Sequence, residues 1–154
     1  MKSLFIIAIL FTNAAFAQLT GNVVSIADGD TFTLLTSENE QIRIRLHGID
    51  CPEKKQDFGA KAKQFLSDMI FQKSVNVREM DVDRYGRTIG MVTIDGINVN
   101  EALLKAGLAW HYKKYDQNPT WARLDEEASQ AKRGLWSQPS SIAPWEYRTA
   151  KKRQ

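Results

Sequence analysis

Three polar clusters, each placed where an apolar run stops, carry the residues able to do chemistry: Asp28-Gly29-Asp30-Thr31, Arg45-Leu46-His47-Gly48-Ile49-Asp50-Cys51-Pro52-Glu53 and Asp83-Arg84-Tyr85-Gly86-Arg87. Their carboxylates have no lysine neighbours within the motif, the donor type a hard divalent cation takes, and their arginines present forked N–H donors that match a phosphate. A carboxylate-held metal beside guanidinium groups suits phosphodiester chemistry, because negative charge builds on phosphoryl oxygens while water attacks. Each cluster alone has a plainer reading. Asp28-Gly29-Asp30 by itself is an ordinary turn, and Asp83 with Arg87 is a structural ion pair. A purely structural account of all three needs several charges to gather at strand ends by chance.

Positioning these clusters falls to elements legible in the apolar pattern. Residues 21–26 and 32–35 are short, apolar and β-branched, with turn chemistry between them, and predict a hairpin. Ile42, Ile44 and Leu46 alternate with Arg43, Arg45 and His47, the period of a half-buried strand, which puts Arg45 opposite the isoleucines. That parity carried onward would place Asp50 on the core side, so the strand is expected to end or bend near Gly48 and let Asp50 reach solvent. Ala62, Phe65, Leu66, Met69 and Ile70 recur at helical spacing in a segment beginning near Ala60. Val75 and Val77 mark a fourth strand, and Ile89 to Ile94 a fifth.

Asn98 lies three positions before Glu101, a capping pattern for a short helix that Gly107 stops. Asn118-Pro119 opens a third helix with Trp121, Leu124, Ala128 and Ala131 on one side, closed by Gly134. Five strands with a helix inserted after the third is the order of an OB-type Greek-key barrel, so the expected fold is α+β, a five-stranded OB barrel with three helices. Residues 18–138 form that domain, and residues 139–154 are expected to be a loosely held basic tail.

The 154 residues, 43% hydrophobic, provide for one domain with an ordinary core. A short positive start, an apolar run from Leu4 to Phe11 and Ala15-Phe16-Ala17 as a small-x-small site make residues 1–17 a secretory signal peptide. A membrane anchor would need roughly 20 predominantly apolar residues, and Thr12-Asn13 interrupts the run first. The chain beginning near Gln18 is therefore expected to be secreted or periplasmic, with no membrane association after cleavage. Cys51 is the only cysteine, which rules out an intrachain disulfide. The formal net charge of +3, from 21 Lys and Arg against 18 Asp and Glu, falls to +2 when the leader takes Lys2 with it. A protein that coats nucleic acid usually carries more, whereas an enzyme that releases its product works with local patches such as Lys54-Lys55 and Lys113-Lys114.

With those motifs placed, the chain resembles the thermonuclease family, whose best-known member is staphylococcal nuclease. The first two clusters match one signature of the family and Asp83-Arg84-Tyr85-Gly86-Arg87 the other, in order. Asn98-Val99-Asn100-Glu101-Ala102-Leu103, Gly107-Leu108-Ala109 and the closing Ala131-Lys132 to Gly134-Leu135-Trp136 extend the likeness along the chain. The resemblance implies a calcium-dependent phosphodiesterase on an OB barrel that cuts DNA and RNA and leaves 3′-phosphate ends. By position, Asp30 and Asp50 would be Ca²⁺ carboxylates and the Cys51 carbonyl a further ligand. Glu53 would hold the attacking water, and Arg45 and Arg87 would grip the scissile phosphate.

Tyr112 and Tyr115 are the candidates for the family's base-sandwiching tyrosines, or else cover the barrel, with Lys113 and Lys114 attracting phosphate without choosing sequence. Single-stranded or frayed nucleic acid is the favoured partner, and a monomer is expected. The loop Lys54 to Gly59 is shorter than in the staphylococcal enzyme, and Cys51 stands where that enzyme has threonine. His47 is read as a surface strand residue. The rival reading is an OB barrel that holds single strands without cutting them, for which Glu53 would have no use.

Overall fold

The computed structural model describes residues 18–153, and the leader read over residues 1–17 lies outside them. β1 (Gln18–Ile26) and β2 (Thr31–Thr36) form the expected hairpin across Asp28-Gly29-Asp30. β2 pairs antiparallel with β3 (Gln41–Leu46), after which a left-handed turn at Gly48 leads into the two-residue β4 (Ile49–Asp50). The first helix, α1 (Gly59–Ile70), precedes β5 (Ser74–Val82), which pairs antiparallel with both β1 and β6 (Thr88–Ile94). β6 then closes the barrel against β3 in parallel, with Ile44 opposite Thr88, Arg45 opposite Ile89 and Leu46 opposite Gly90.

The barrel closes because each strand turns its apolar face inward. Phe32, Leu34, Ile44, Leu46, Val75, Val77 and Val92 are all buried, as are Ala62, Leu66 and Ile70, the stripe by which α1 plugs the barrel. Burying each large side chain among them contributes about 1.5–3 kcal/mol. β7 (Ile97–Asn98) extends the edge of β6 and leads into α2 (Val99–Lys105), capped as expected by Asn98, whose side chain accepts from the Glu101 N–H at 3.1 Å. β8 (Trp110–His111) pairs with β4, and α3 (Pro119–Gln130) is capped by Asn118. Glu101 joins α2 to α3 by accepting from the Trp121 indole at 3.2 Å.

Three expectations are corrected. The third helix ends at Gln130, with Lys132 in the left-handed region, and Gly134 instead opens a 3-10 turn over Gly134–Ser137. There are four helices where three were expected: α4 (Pro144–Lys151) forms inside the stretch read as a tail, with Pro144 in its first turn, a position where the missing N–H costs nothing. Asp50 does not reach solvent and is 1% exposed: the chain does turn at Gly48, with positive φ, yet both residues of β4 are buried, and Arg45 and Arg148 take the place of water around the carboxylate. No helix among the described residues is long and apolar enough to cross a membrane.

Two side chains pin the strand ends that carry the site. Asn100, fully buried at the start of α2, accepts from the Val92 N–H at 3.1 Å and donates to the carbonyls of His47 at 2.9 Å and Gly90 at 3.4 Å. It thereby joins the end of β3 to β6 where backbone pairing stops. Asp83 does the same for the β5–β6 turn, accepting from the N–H groups of Tyr85 and Arg87 and from Arg87 Nε. Burial alone would raise the Asp83 carboxyl, but the Arg87 N–H, the Arg87 guanidinium and the Tyr85 N–H outweigh it and hold the group below its ordinary 3.8.

Asn100→Ala strands a buried N–H and two carbonyls, and a denaturant titration should show a loss of at least about 2 kcal/mol, the scale of unsatisfied buried groups. Asp83→Asn is also expected to destabilise at neutral pH. Because the folded-state value is depressed, the wild-type advantage is whole above pH 3.8 and fades as pH falls through that lower value, so the two melting curves should converge in acid.

Candidate active site

The site forms where β2, β3, β4 and the β5–β6 turn meet at one rim of the barrel. Pairing of Thr31 with Arg45 brings the first two clusters side by side, and the parallel β3–β6 closure brings Arg87 next to both. Gly48 makes the approach possible: a Cβ there would lie 2.7 Å from both Asp116 Cβ and Trp121 Cζ3, and its φ of +66° is one a side chain rarely adopts. Gly59 does the same for Glu53, since a Cβ on it would run into the Glu53 carbonyl oxygen at 2.0 Å. Gln56 then locks that loop, accepting from the Glu53 N–H at 3.1 Å through its side chain and donating its own N–H to the Glu53 carbonyl at 2.8 Å.

Arg45 is the hub. Its Nη1 donates to the carbonyls of Leu46 and Ile49 at 3.0 and 3.1 Å, which fixes the guanidinium plane. Its Nη2 lies 2.9 Å from Asp50 Oδ1 and 3.5 Å from Asp30 Oδ2, so one positive group spans both carboxylates. Burial acts to loosen its proton, and the charges of Asp30 and Asp50 overcome this and raise the group. Asp30 is held from two sides, accepting from the Thr31 hydroxyl at 3.1 Å and from the Cys51 N–H at 2.9 Å. Thr31 Oγ1 in turn accepts from Arg87 Nη1 at 3.4 Å, while Asp83 takes the Nε edge of Arg87 at 2.7 Å. Both arginines are thus linked through Thr31 and Asp30.

Burial, then the Asp30 charge, pushes Asp28 up to about 6. Burial also lifts Asp50, with Arg148 and Arg45 pulling against it. The Cys51 thiol is buried and pushed well above its ordinary value, again chiefly by burial.

Arg148 was not among the candidates. From α4 its Nη1 reaches Asp50 Oδ1 at 3.2 Å and Glu53 Oε1 at 2.7 Å, and its Nη2 reaches Asp50 Oδ2 at 2.7 Å. Burial alone would lower it, but the bonds to Asp50 and Glu53 dominate and hold its charge firmly. The connected set therefore runs from Arg87 through Thr31, Asp30, Arg45 and Asp50 to Arg148 and Glu53. The sequence signal that could have found Arg148 is a Pro-initiated helix carrying Trp145 and Arg148 one turn apart.

Among the described residues, no three His, Cys, Asp or Glu side chains gather closely enough to hold a metal ion by themselves. Asp30 and Asp50 contribute two converging carboxylates, with a positive group already between them. Their all-oxygen character, with backbone carbonyls nearby, fits a hard divalent cation that completes its shell with water and phosphate.

Pairing of β4 with β8 sets the tyrosine face beside this cluster, Ile49 opposite His111 and Asp50 opposite Trp110. Tyr112 donates its N–H to the Gly48 carbonyl at 2.8 Å and packs edge-on to Tyr115, ring centroids 4.9 Å apart. Tyr115, Lys113 and Lys114 are exposed, with Lys114 over the Tyr115 ring. Asp116 staples the loop by accepting from His111 Nε2 at 2.8 Å and from the Asn118 N–H at 2.9 Å, with His47 Nε2 at 3.3 Å. His47 is accordingly a half-buried partner of Asp116 and not a free surface residue. The structure brings Asp30, Arg45, Asp50, Cys51, Glu53 and Arg87 into one small volume and sets the residues of 112–115 along its edge.

Residues 43–138 match the family described as staphylococcal nuclease homologue. A Haemophilus influenzae protein named "Uncharacterized endonuclease" is 39% identical, covering 99% of this chain and 85% of its own length. A "Micrococcal nuclease" of Shigella flexneri is 39% identical over 95% of this chain and 90% of its own, and the Escherichia coli "Protein ParB" is 40% identical over 91% and 85%. On the motifs, the closed barrel and these matches, the chain belongs to the staphylococcal nuclease family.

Proposed function

We propose that this protein is a secreted or periplasmic, calcium-dependent nuclease that hydrolyses phosphodiester bonds of DNA and RNA as a monomer and leaves 3′-phosphate ends. The observation that carries this reading is the single network that runs from Arg87 through Thr31, Asp30, Arg45 and Asp50 and, by way of Arg148, to Glu53. Nuclease relatives of similar length support the reaction class, and the leader pattern in residues 1–17 supports export.

In this reading Asp30, Asp50 and the Cys51 carbonyl hold Ca²⁺, which when bound draws charge from the phosphoryl oxygens and steadies a water. The protein's own groups do the rest. Arg45, its plane fixed by two carbonyls, contacts the scissile phosphate from the β3 side. Asp83 occupies the Nε edge of Arg87 and leaves its Nη end toward the site, where it stabilises the five-coordinate phosphorus and the departing 5′ oxygen. Glu53, half-exposed at the outer side, orients or deprotonates the attacking water. Tyr112 and Tyr115 supply faces for a base in single-stranded or frayed regions, and Lys113 and Lys114 attract the backbone.

Heat-denatured DNA incubated with the protein and Ca²⁺ should be cut, and cutting should stop on addition of chelator, with product ends that become extendable only after removal of a 3′ phosphate. Retarded but uncut strands in both tubes would instead identify a strand-holding barrel. Arg45→Lys, Arg87→Lys and Glu53→Gln should each lower kcat at least about a hundredfold, the scale of losing one transition-state contact. Normal turnover in a folded variant removes that residue from the mechanism.

A further inference from the structure

α4 carries Trp145 and Arg148 on one face, and both side chains reach the site or its tyrosine edge. Arg148 engages both oxygens of Asp50 and one of Glu53. Trp145 lies flat on Tyr112, ring centroids 4.8 Å apart and planes 6° from parallel, and edge-on to Trp110 at 5.7 Å. In the proposed reaction, Asp50 is needed for the metal, Glu53 for the water and Tyr112 for a base. A helix whose Arg148 lies 98 residues from Asp50 and 95 from Glu53 along the chain thus sits on all three at once, with a cation where a cation is required and a flat ring where a flat ring is required.

The segment leading into α4 is fastened to the same loop that carries Glu53. Gln56 donates to the Ile142 carbonyl, and Gln138 donates to Asp57 at 3.2 Å.

We infer that α4 is a tethered competitor for the site: Arg148 and Trp145 occupy it while divalent cation is scarce, and Ca²⁺ displaces them to open it. This rests on the nuclease reading for the identity of the displacing ion. The physical argument is charge. A guanidinium stays protonated at any working pH, so it cannot yield its place by losing a proton. A divalent cation arriving on Asp50 would be repelled by it at close range in a poorly solvated site, where Coulomb terms are large. The two cations exchange, and the outward charge of Arg148, 40% exposed, has a short path to water. When Arg148 leaves, α4 carries Trp145 off Tyr112 with it.

The test is calorimetric titration of Ca²⁺ into the purified full chain, Arg148→Ala and Trp145→Ala, each checked for folding by circular dichroism, with tryptophan fluorescence followed in parallel. Both variants should bind Ca²⁺ roughly tenfold more tightly, near the lower end of the usual coupling between two sites. The wild-type fluorescence should change along the same binding curve as Trp145 leaves Tyr112. Trp145→Ala touches none of the carboxylates, so it reads the competition even if Arg148→Ala fails to fold. Unchanged or weaker Ca²⁺ binding in the folded variants overturns the proposal and makes α4 a fixed wall of the site. Cleavage assays on the same samples separate the two readings: tighter Ca²⁺ binding with no cleavage by any protein keeps the competitor and removes the nuclease. Cleavage with unchanged affinity does the reverse, and no Ca²⁺ binding by any of the three overturns both.

Discussion

Asp30 and Asp50 are almost wholly buried, and a carboxylate taken out of water keeps its charge only where cations or N–H donors replace the hydration it lost. That requirement shapes the rest of the rim. Arg45 spans the two carboxylates, the Cys51 N–H and the Thr31 hydroxyl take the remaining directions around Asp30, and Arg148 closes over Asp50. Asp28, drawn partly out of water and with the like charge of Asp30 beside it, responds by holding its proton up to about 6. The same crowding of negative charge that makes the site costly to fold makes it receptive to a divalent cation.

The barrel meets this requirement through one non-local pairing. Antiparallel hairpins bring Asp30 to Arg45 cheaply, because β2 follows β1 and β3 follows β2 with short turns. Arg87 joins through the parallel pairing of β6 on β3, which the β1–β5 pairing accompanies and the Asn100 side chain bridges at the seam where β3 runs out. The same pairing therefore closes the core and completes the site. A slip of one residue in the β3–β6 register would turn Arg45 inward and Ile44 to the rim, exchanging a charge for a core residue.

The parts visible in the sequence are those with local causes. Alternation in residues 42–46 gave β3, helical spacing gave α1, and Asn98 and Asn118 marked the caps of α2 and α3, since each signal is completed within a few residues. Three features had no local cause. The burial of Asp50, on the side that strand parity alone indicates, is tolerated because Arg45 and the distant Arg148 replace the solvent it loses, and no local pattern shows the second of them. Arg148 sits 98 residues from Asp50, in a segment whose composition reads as polar and whose only structural cue is Pro144 before Trp145. His47 finds its partner, Asp116, in a distant loop brought in by the β4–β8 pair.

The boundary of the family match sharpens the same point. Residues 43–138 contain Arg45, Asp50, Glu53, Arg87 and the tyrosine edge, yet the rim is not self-sufficient within them. Asp30, which Arg45 must balance, comes from the β1–β2 hairpin before that span, and Arg148, which occupies Asp50 and Glu53, comes from α4 after it. Removing either flank would strip one of two counter-charges: without Asp30, Arg45 would keep only Asp50, and without Arg148, Asp50 would keep only Arg45. The two flanks oppose one another in charge at the same place: the earlier one adds a carboxylate that invites a cation, and the later one supplies a cation already attached. The charge balance of the site, and with it the readiness to accept a metal, is consequently set by residues on either side of the segment that carries the recognisable motifs.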